Sequence, residues 1–206
     1  MERLIFIPCR PANSTGAFSL LELLVVTAIS ITLMAMATPA ISSLLESFSL
    51  STAGQTVVGQ IDLARQTAST SGQTIQVRLL HLGTSDPGYD AMQIGRVDLS
   101  NNWISVGRLA RFPRTAVISE DATKVSPLLA TPNMATGSMS VGGISNASYA
   151  AFSIRPSGVV EPAPGGMSSF FLGIVPSRAG NSSSVPPNYV FIQINPETGN
   201  TVIYRP

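Results

Sequence analysis

A single carboxylate, Glu22, interrupts the longest apolar run of the chain, and its chemistry needs an explanation. The run extends from Phe18 to Leu45 and carries no other charge. An acidic side chain at the centre of a membrane costs on the order of 3 kcal/mol. Such a group is stabilised either by reaching the lipid headgroups or by pairing with a cation in the same apolar environment. Both interpretations are open from the residues alone.

Residues for enzymatic chemistry are scarce. His81 is the only histidine and Cys9 the only cysteine, and no G-x-S-x-G nucleophile motif accompanies them. We interpret His81 as a surface residue at the end of a strand. Glu120 and Asp121 are adjacent, but no carboxylate cluster has the spacing of a calcium loop. The sequence therefore predicts no catalytic residue, no cofactor and no metal site.

Three arginines are the best candidates for contact with nucleic acid. Arg108, Arg111 and Arg114 are flanked by Trp103 and Phe112. Basic groups near aromatic rings suit phosphate contacts and base stacking. A proline between the last two arginines disfavours a regular helix, so the three side chains need not share a face. Arginines at strand edges are the simpler interpretation.

The elements that position these residues begin with a long helix. Residues 23–45 would extend about 34 Å at about 1.5 Å per residue, which is enough for one bilayer crossing. Beyond Pro39, apolar residues recur at three- and four-residue steps, which predicts an amphipathic continuation. Pro39 lacks an N–H group and crowds the preceding turn, so we expect a bend there. Gly72 is the predicted end of the helix.

The period changes to two between residues 74 and 80, which places Gln76 and Arg78 on one face of a strand and apolar residues on the other. Further strands are predicted at residues 91–94, 104–109, 116–119, 149–154, 170–175, 189–194 and 201–204. Turns are predicted at residues 155–158 and 195–199. Surface loops are predicted over most of residues 119–148 and at residues 176–188. The predicted fold class is α+β, with a long N-terminal helix followed by an antiparallel β-sandwich-like head.

The charge distribution predicts an orientation. Arg3 and Arg10 precede the apolar run, and the first charged residues after it are Glu46 and Asp62. The positive-inside rule then keeps the N-terminus cytoplasmic and places the head outside. With 206 residues and a formal net charge of +1, the chain fits one domain plus an anchor and lacks a general polyanion-binding surface.

Residues 17–26, AFSLLELLVV, closely resemble the processing signal of type IV prepilins and of the pseudopilins of type II secretion. In that family the fifth mature residue is a glutamate, and the twenty-second is commonly a helix-kinking proline. With Phe18 as the first mature residue, Glu22 is fifth and Pro39 is twenty-second. The resemblance implies cleavage between Ala17 and Phe18, N-methylation of Phe18, and pairing of Glu22 with the N-terminal ammonium of another subunit.

One residue departs from the family pattern. Glycine is usual before the cut, whereas Ala17 stands there, one place after Gly16. Cleavage after Gly16 would make Glu22 the sixth residue, so we prefer the bond after Ala17. An ordinary signal peptide is a further alternative, because residues 35–37 form an A-x-A site that would be cut after Ala37. That alternative leaves the position of Glu22 unexplained.

Three segments of the remaining chain narrow the resemblance to H-type minor pseudopilins and FimT-like minor pilins. They are residues 64–68 (ARQTA), residues 152–158 (FSIRPSG) and the turn at residues 198–199 (TG). A weaker similarity, at residues 83–93 and 112–129, is to a pseudopilin group of verrucomicrobial gene cassettes. The implied function is structural and not enzymatic. The implied partners are a prepilin peptidase, other pseudopilins or pilins, and an inner-membrane assembly platform.

The resemblance also implies a division of the chain. A leader at residues 1–17 is removed, residues 18–45 cross the membrane, residues 46–72 form the amphipathic half of the helix, and residues 73–206 form the β head. The precursor would cross the bacterial inner membrane once, with its head in the periplasm, where the filament assembles. Two other functions stay open: DNA capture through the arginines named above, as in FimT-like pilins, and a secreted domain released by signal peptidase.

Overall fold

The computed structural model describes residues 19–83, 87–122, 125–130, 134–161, 170–182 and 184–205, without the side chains of residues 37–40. The chain divides into two compact units, Met1–Ser42 and Ser43–Pro206. Helix α1 (Leu20–Ser71) contributes to both units.

The described part of the first unit is the apolar half of α1. All of its described side chains are exposed, and the helix is long and apolar enough to cross a membrane. Thr27, Ser30 and Thr32 each donate a hydrogen bond of 2.8 or 2.9 Å to a carbonyl oxygen three or four residues earlier. This bonding satisfies hydroxyl groups that would otherwise be costly in an apolar environment.

In the second unit α1 is amphipathic. Its fully buried apolar residues recur at three- and four-residue steps: Leu50, Ala53, Val57, Ile61, Ala64 and Ala68. That spacing places them on one helix face. A Cβ atom on Gly54 would lie 3.2 Å from Val190, so this face approaches the β-strands closely. Gly72 has φ +65° and ends the helix in a left-handed conformation. The predicted amphipathic continuation and the predicted stop at Gly72 are confirmed.

Eleven strands lie in the described part of the chain: β1 (Ile75–His81), β2 (Ala91–Val97), β3 (Trp103–Ser105), β4 (Ala110–Arg111), β5 (Ala116–Ile118), β6 (Ala135–Val141), β7 (Ile144–Ile154), β8 (Val160–Glu161), β9 (Phe170–Pro176), β10 (Val190–Ile194) and β11 (Thr201–Tyr204). Short 3-10 helices occupy Pro127–Ala130 and Ser177–Ala179. All of the strand pairings are antiparallel.

The strands form two sheets. The larger sheet has the order β3-β2-β1-β7-β6, with β4 paired to β2 and β8 paired to β7; the smaller has the order β11-β10-β9-β5. One core cluster contains the buried helix face, Val77 and Ile94 of the larger sheet, and Ile174 and Ile192 of the smaller sheet. The faces that point into this core are the inner faces of the sheets. The predicted α+β class, a long helix followed by antiparallel β-structure, is confirmed.

Two predictions of local structure are wrong. Residues 119–148 are not mostly loop, because they contain a 3-10 helix, β6 and the start of β7. Side chains of β6 are largely exposed, so main-chain pairing with β7 holds this edge strand and no apolar alternation marks it. The predicted strand at residues 104–109 is interrupted, since the N–H groups of Val106 and Gly107 both donate to the carbonyl oxygen of Ile94.

The two predicted turns are confirmed. The Gly158 N–H donates to the carbonyl oxygen of Arg155 at 2.8 Å, which closes the β7–β8 hairpin. The Gly199 N–H donates to the carbonyl oxygen of Asn195 at 2.8 Å in the β10–β11 hairpin. The Asn195 side-chain oxygen also accepts the main-chain N–H groups of Glu197 and Thr198, as asparagine often does in turns.

Candidate functional site

The start of α1 is built around Ser19. Its hydroxyl oxygen accepts the main-chain N–H of Glu22 at 3.1 Å, and its carbonyl oxygen accepts the N–H of Leu23 at 3.2 Å. Ser19 is therefore the N-cap, and Glu22 is the third residue of the helix. Serine followed three residues later by glutamate is a known helix-start signal, but it was missed in reading the sequence. A negative charge is favourable in this first turn.

The Glu22 carboxylate differs from the hydroxyl groups of the same half-helix. Thr27, Ser30 and Thr32 bond to the main chain, whereas no ion pair or hydrogen bond involves the Glu22 carboxylate within the described residues. The described part of the first unit, residues 19–42, thus exposes an apolar surface with one unpaired acidic group. The predicted cleavage positions, Ala17 and Phe18, lie outside the described residues. Pro39 lies within α1, its side chain is not described, and the predicted bend stays a prediction.

Arginines fasten the amphipathic half of α1 to other parts of the second unit. Arg178, in the 3-10 helix after β9, forms an ion pair with Glu46 at 3.1 Å. Arg205, just after β11, donates to the hydroxyl of Ser51 and to the carbonyl oxygen of Ser47. Glu46 is the first charged residue after the apolar run, and its charge is neutralised within the folded unit.

The three segments that carry the second resemblance meet at the C-terminal end of α1. Arg65 donates to the side-chain oxygen of Asn200 and lies 3.7 Å from Asp62. A Cβ on Gly158 would lie 2.9 Å from the carbonyl oxygen of Thr198, and one on Gly199 would lie 3.4 Å from the Arg65 side chain. Glycine is needed at both positions, because both also have positive φ. The sequence did not reveal this contact between distant segments.

An open cleft lies at the same place. It has a volume of about 490 Å³, and its lining comes from the last turns of α1 and the two hairpin turns: Arg65, Gln66, Ser69, Thr70, Pro156, Ser157, Gly158 and Thr198. The polar groups of the lining are hydroxyls, an amide and an arginine that is already bonded. Nothing in the lining provides a nucleophile activated by a base.

The three arginines considered for nucleic-acid contact are exposed. Arg111 pairs with Ala91 of β2, and its guanidinium would lie 3.3 Å from a Cβ on Gly142 of the β6–β7 turn. Arg108 and Arg114 lie in the irregular segments on either side of β4. The flanking rings are used elsewhere, since Phe112 is in the main core and Trp103 stacks on Arg78. The two rings that the sequence suggested for base stacking are therefore engaged in other contacts of the fold.

Arg78 is the site residue that the sequence analysis did not single out. It lies on the outer face of β1, the central strand of the larger sheet, and is only 7% exposed. Its guanidinium lies 3.8 Å from the centre of the Trp103 ring and 4.1 Å from that of Tyr149. Its Nη1 donates to the sulfur of Met139 at 3.3 Å. Trp103 and Met139 belong to opposite edge strands, so side chains from both edges of the sheet meet at Arg78.

Glycines make the stack possible. A Cβ on Gly95 would overlap the carbonyl oxygen of Ile104 and lie 2.6 Å from the Trp103 ring, and one on Gly137 would lie 2.9 Å from the Tyr149 hydroxyl. Both rings therefore lie flat over glycines. Burial lowers the pKa of Arg78 from its ordinary value, with the nearby Tyr149 acting in the opposite direction. Arg78 stays charged at neutral pH.

His81 and the adjacent acids form local hydrogen bonds. His81 Nδ1 lies 2.7 Å from the carbonyl oxygen of Gly88, and the Glu120 carboxylate accepts the Gly88 N–H at 3.2 Å. Burial, and secondarily Glu120, raises the pKa of Tyr89. Among the described residues, no three histidine, cysteine or acidic side chains lie together in a way that could hold a metal ion.

No protein-family model, curated protein or solved structure matches this chain.

Proposed function

We propose that this protein is a structural subunit of a pseudopilus or type IV pilus-like filament, with the role of a minor pseudopilin. The observation that carries the proposal is the carboxylate of Glu22, which has no partner within the described residues and lies on an otherwise apolar and exposed half-helix. In a lipid or helix-bundle environment this charge is satisfied when an ammonium group reaches it. The N-terminal amine of another processed subunit supplies that group.

The amphipathic half of α1 supports the same function. It is joined to the β-structure by a continuous buried face and by the ion pair of Arg178 with Glu46. The amphipathic half of the helix and the β head would therefore move together when the helix is pulled or bound by another subunit. In this proposal the precursor crosses the inner membrane once, with its head in the periplasm. A prepilin peptidase processes it, an inner-membrane platform assembles it with other subunits, and it catalyses no reaction.

The N-terminus of the mature protein tests the processing step. Mass spectrometry of the protein purified from membranes is expected to find N-methyl-phenylalanine at Phe18, because the peptidase cuts the Ala17–Phe18 bond and methylates the new amine. The matched variant Ala37→Leu removes the small residue that signal peptidase requires but keeps the helix apolar. It is expected to leave processing unchanged. An unmodified chain that begins at Thr38 would contradict the proposal.

Capture of DNA by the head is the second candidate function. The observation in its favour is that Arg108, Arg111 and Arg114 are exposed and have no ion pair within the described residues. Binding would then be electrostatic and steeply salt-dependent. If these three arginines act together, we expect duplex DNA to bind to the unmodified protein at low salt. Replacing all three by alanine should abolish this binding. Absence of binding by the unmodified protein at low salt would eliminate this function.

A further inference from the structure

Two arginines from distant parts of the chain meet α1 directly after the apolar run. Nη2 of Arg178 lies 3.1 Å and 3.2 Å from the two carboxylate oxygens of Glu46. Nη2 of Arg205 donates to the carbonyl oxygen of Ser47 at 3.2 Å, and its Nη1 donates to a serine hydroxyl one turn further along α1. We call residues 46–51 of α1, together with these two arginines, the base of the head.

Both arginines keep hydrogen-bond donors that the fold does not use. The Arg178 side chain is 78% exposed and contacts Glu46 through a single nitrogen. Within the described residues, its Nη1 and Nε have no acceptor, and neither has the Nε of Arg205, which is also exposed. Guanidinium groups bind phosphate oxygens through such donors, often two at a time. The base of the head therefore offers two groups that suit a phosphate.

The position of the base along α1 matches the headgroup layer of a bilayer. Residues 23–45 would extend about 34 Å, and the hydrocarbon core of a bilayer is about 30 Å thick. The headgroup layer adds about 5 to 8 Å on each side, and residues 46–51 extend about 8 Å at about 1.5 Å per residue. In a precursor that crosses the membrane once, both arginines therefore lie at the depth of the lipid phosphates.

Exposed apolar side chains adjoin the two arginines. Leu44 and Leu45 are each more than half exposed, and so is Phe48, about one turn after Leu45. Tyr204, directly before Arg205, is half-exposed. Apolar side chains of this kind contact acyl chains, and tyrosine rings are enriched at the membrane–water interface. A phospholipid satisfies the apolar side chains and the guanidinium groups together, whereas a free anion satisfies only the guanidinium groups.

The expected recognition rests on hydrogen bonds and not on a broad positive field. Glu46 offsets one of the two arginines. Glu120 is also near, since its N–H donates at 2.9 Å to the carbonyl oxygen of Gly180, just after the 3-10 helix that contains Arg178. The Glu120 carboxylate accepts the N–H of Gly88 at 3.2 Å. We therefore expect contact with phosphate oxygens at close range and no general attraction of polyanions.

We propose that the base of the head binds the phosphate groups of membrane phospholipids through Arg178 and Arg205 while the precursor is stored in the membrane. The inference rests on the proposed function, because it requires α1 to cross a bilayer. It adds a role for the head before assembly, since these contacts keep the head at the membrane surface. The two arginines lie in the second unit, so their lipid contacts do not depend on processing at Phe18.

Native mass spectrometry of the full chain, released from detergent micelles, tests the site by counting the lipids that stay bound. The chain is titrated with phosphatidylglycerol and, as the control, with galactosyl diacylglycerol, which has acyl chains but no phosphate. We expect phosphatidylglycerol to bind at least about fivefold more tightly, because each arginine near a lipid surface strengthens binding by about that factor. Replacing both Arg178 and Arg205 by glutamine should remove this preference.

Two further variants make the result specific. Arg155→Gln is the matched control, because Arg155 also forms an exposed ion pair with a glutamate, Glu161, but lies in the β7–β8 hairpin. This variant should bind phosphatidylglycerol within about twofold of the unmodified chain. Arg178→Lys keeps the charge without the planar fork and should bind more weakly, so it decides the outcome if the double glutamine variant does not fold.

Three results would overturn the proposal: equal binding of the two lipids, an unchanged preference in the Arg178 and Arg205 variants, or displacement of phosphatidylglycerol by inorganic phosphate, which would indicate a site for a free anion. The proposed function fails by a different measurement. Methylated Phe18 without a preference for the phospholipid would refute only the lipid site, whereas a mature chain that begins at Thr38 would refute the filament subunit.

Discussion

Replacing Glu22 by alanine is expected to leave membrane insertion intact and to reduce incorporation into filaments by at least about tenfold. Insertion should not suffer, because the substitution removes the only charge of the apolar run. Incorporation should suffer, because breaking a buried ion pair costs about 3 to 5 kcal/mol, and about 1.4 kcal/mol already changes an equilibrium tenfold. Quantitative blotting of membrane and sheared-filament fractions measures both quantities.

Two controls separate the carboxylate from other effects of the substitution. The bond from the Glu22 N–H to Ser19 uses the main chain, so the helix cap stays intact in Glu22→Ala. The variant Ser19→Ala removes that bond and should cost about 1 kcal/mol of helix stability without abolishing incorporation. Glu197→Ala removes an exposed carboxylate from the β10–β11 turn and should assemble normally. Incorporation of Glu22→Ala at the unmodified level would refute the pairing hypothesis.

Replacing Gly180 by alanine is expected to lower the free energy of unfolding of the head by about 2 to 4 kcal/mol. The added Cβ would overlap the carbonyl oxygen of Pro87 and lie 2.7 Å from its carbonyl carbon. The glycine cannot easily move, because its carbonyl oxygen accepts hydrogen bonds from Glu120 N–H and the Ser119 hydroxyl, both at 2.9 Å. Urea unfolding of the full chain in detergent, followed by Trp103 fluorescence, measures the change.

Gly59 provides the matched control for the same chemical change. It lies within α1, and apart from its chain neighbours and the adjacent helix backbone, no atom of the described residues lies within 4 Å of the position that a Cβ would occupy. Gly59→Ala should therefore stabilise the helix by about 0.5 to 1 kcal/mol, since alanine loses less backbone entropy on folding. Equal unfolding midpoints for the two variants would show that the contact at Pro87 does not limit the packing of Gly180.

The helix was predictable from the sequence because its signals are local. Apolar residues at three- and four-residue steps determine which face of α1 is buried, and Gly72 alone provides the left-handed residue that ends it. Glu22 could also be recognised from the sequence, because only its neighbours in the chain show that it is the single charge of an apolar run. The N-cap Ser19 has an equally local signal, a serine three residues before a glutamate, so this cap is also predictable from the sequence.

The strand edges were less predictable. Strand β6 has few buried side chains, and only its pairing with β7 reveals it as a strand. The interruption between β3 and β4 arises because two N–H groups share the Ile94 carbonyl oxygen. Neither feature leaves an alternation of apolar and polar residues, which is the signal from which strands are predicted.

By itself, the sequence determined the long helix, its apolar and amphipathic halves, the lone carboxylate and most strand positions, because each depends on residues within a few positions of one another. Only the tertiary structure decided that Arg78, on the polar face of its strand, is buried between Trp103 and Tyr149. It also decided that Arg65 meets the two hairpin turns. These contacts join residues far apart in the chain, and they arise from the curvature and pairing of sheets, which no local pattern encodes.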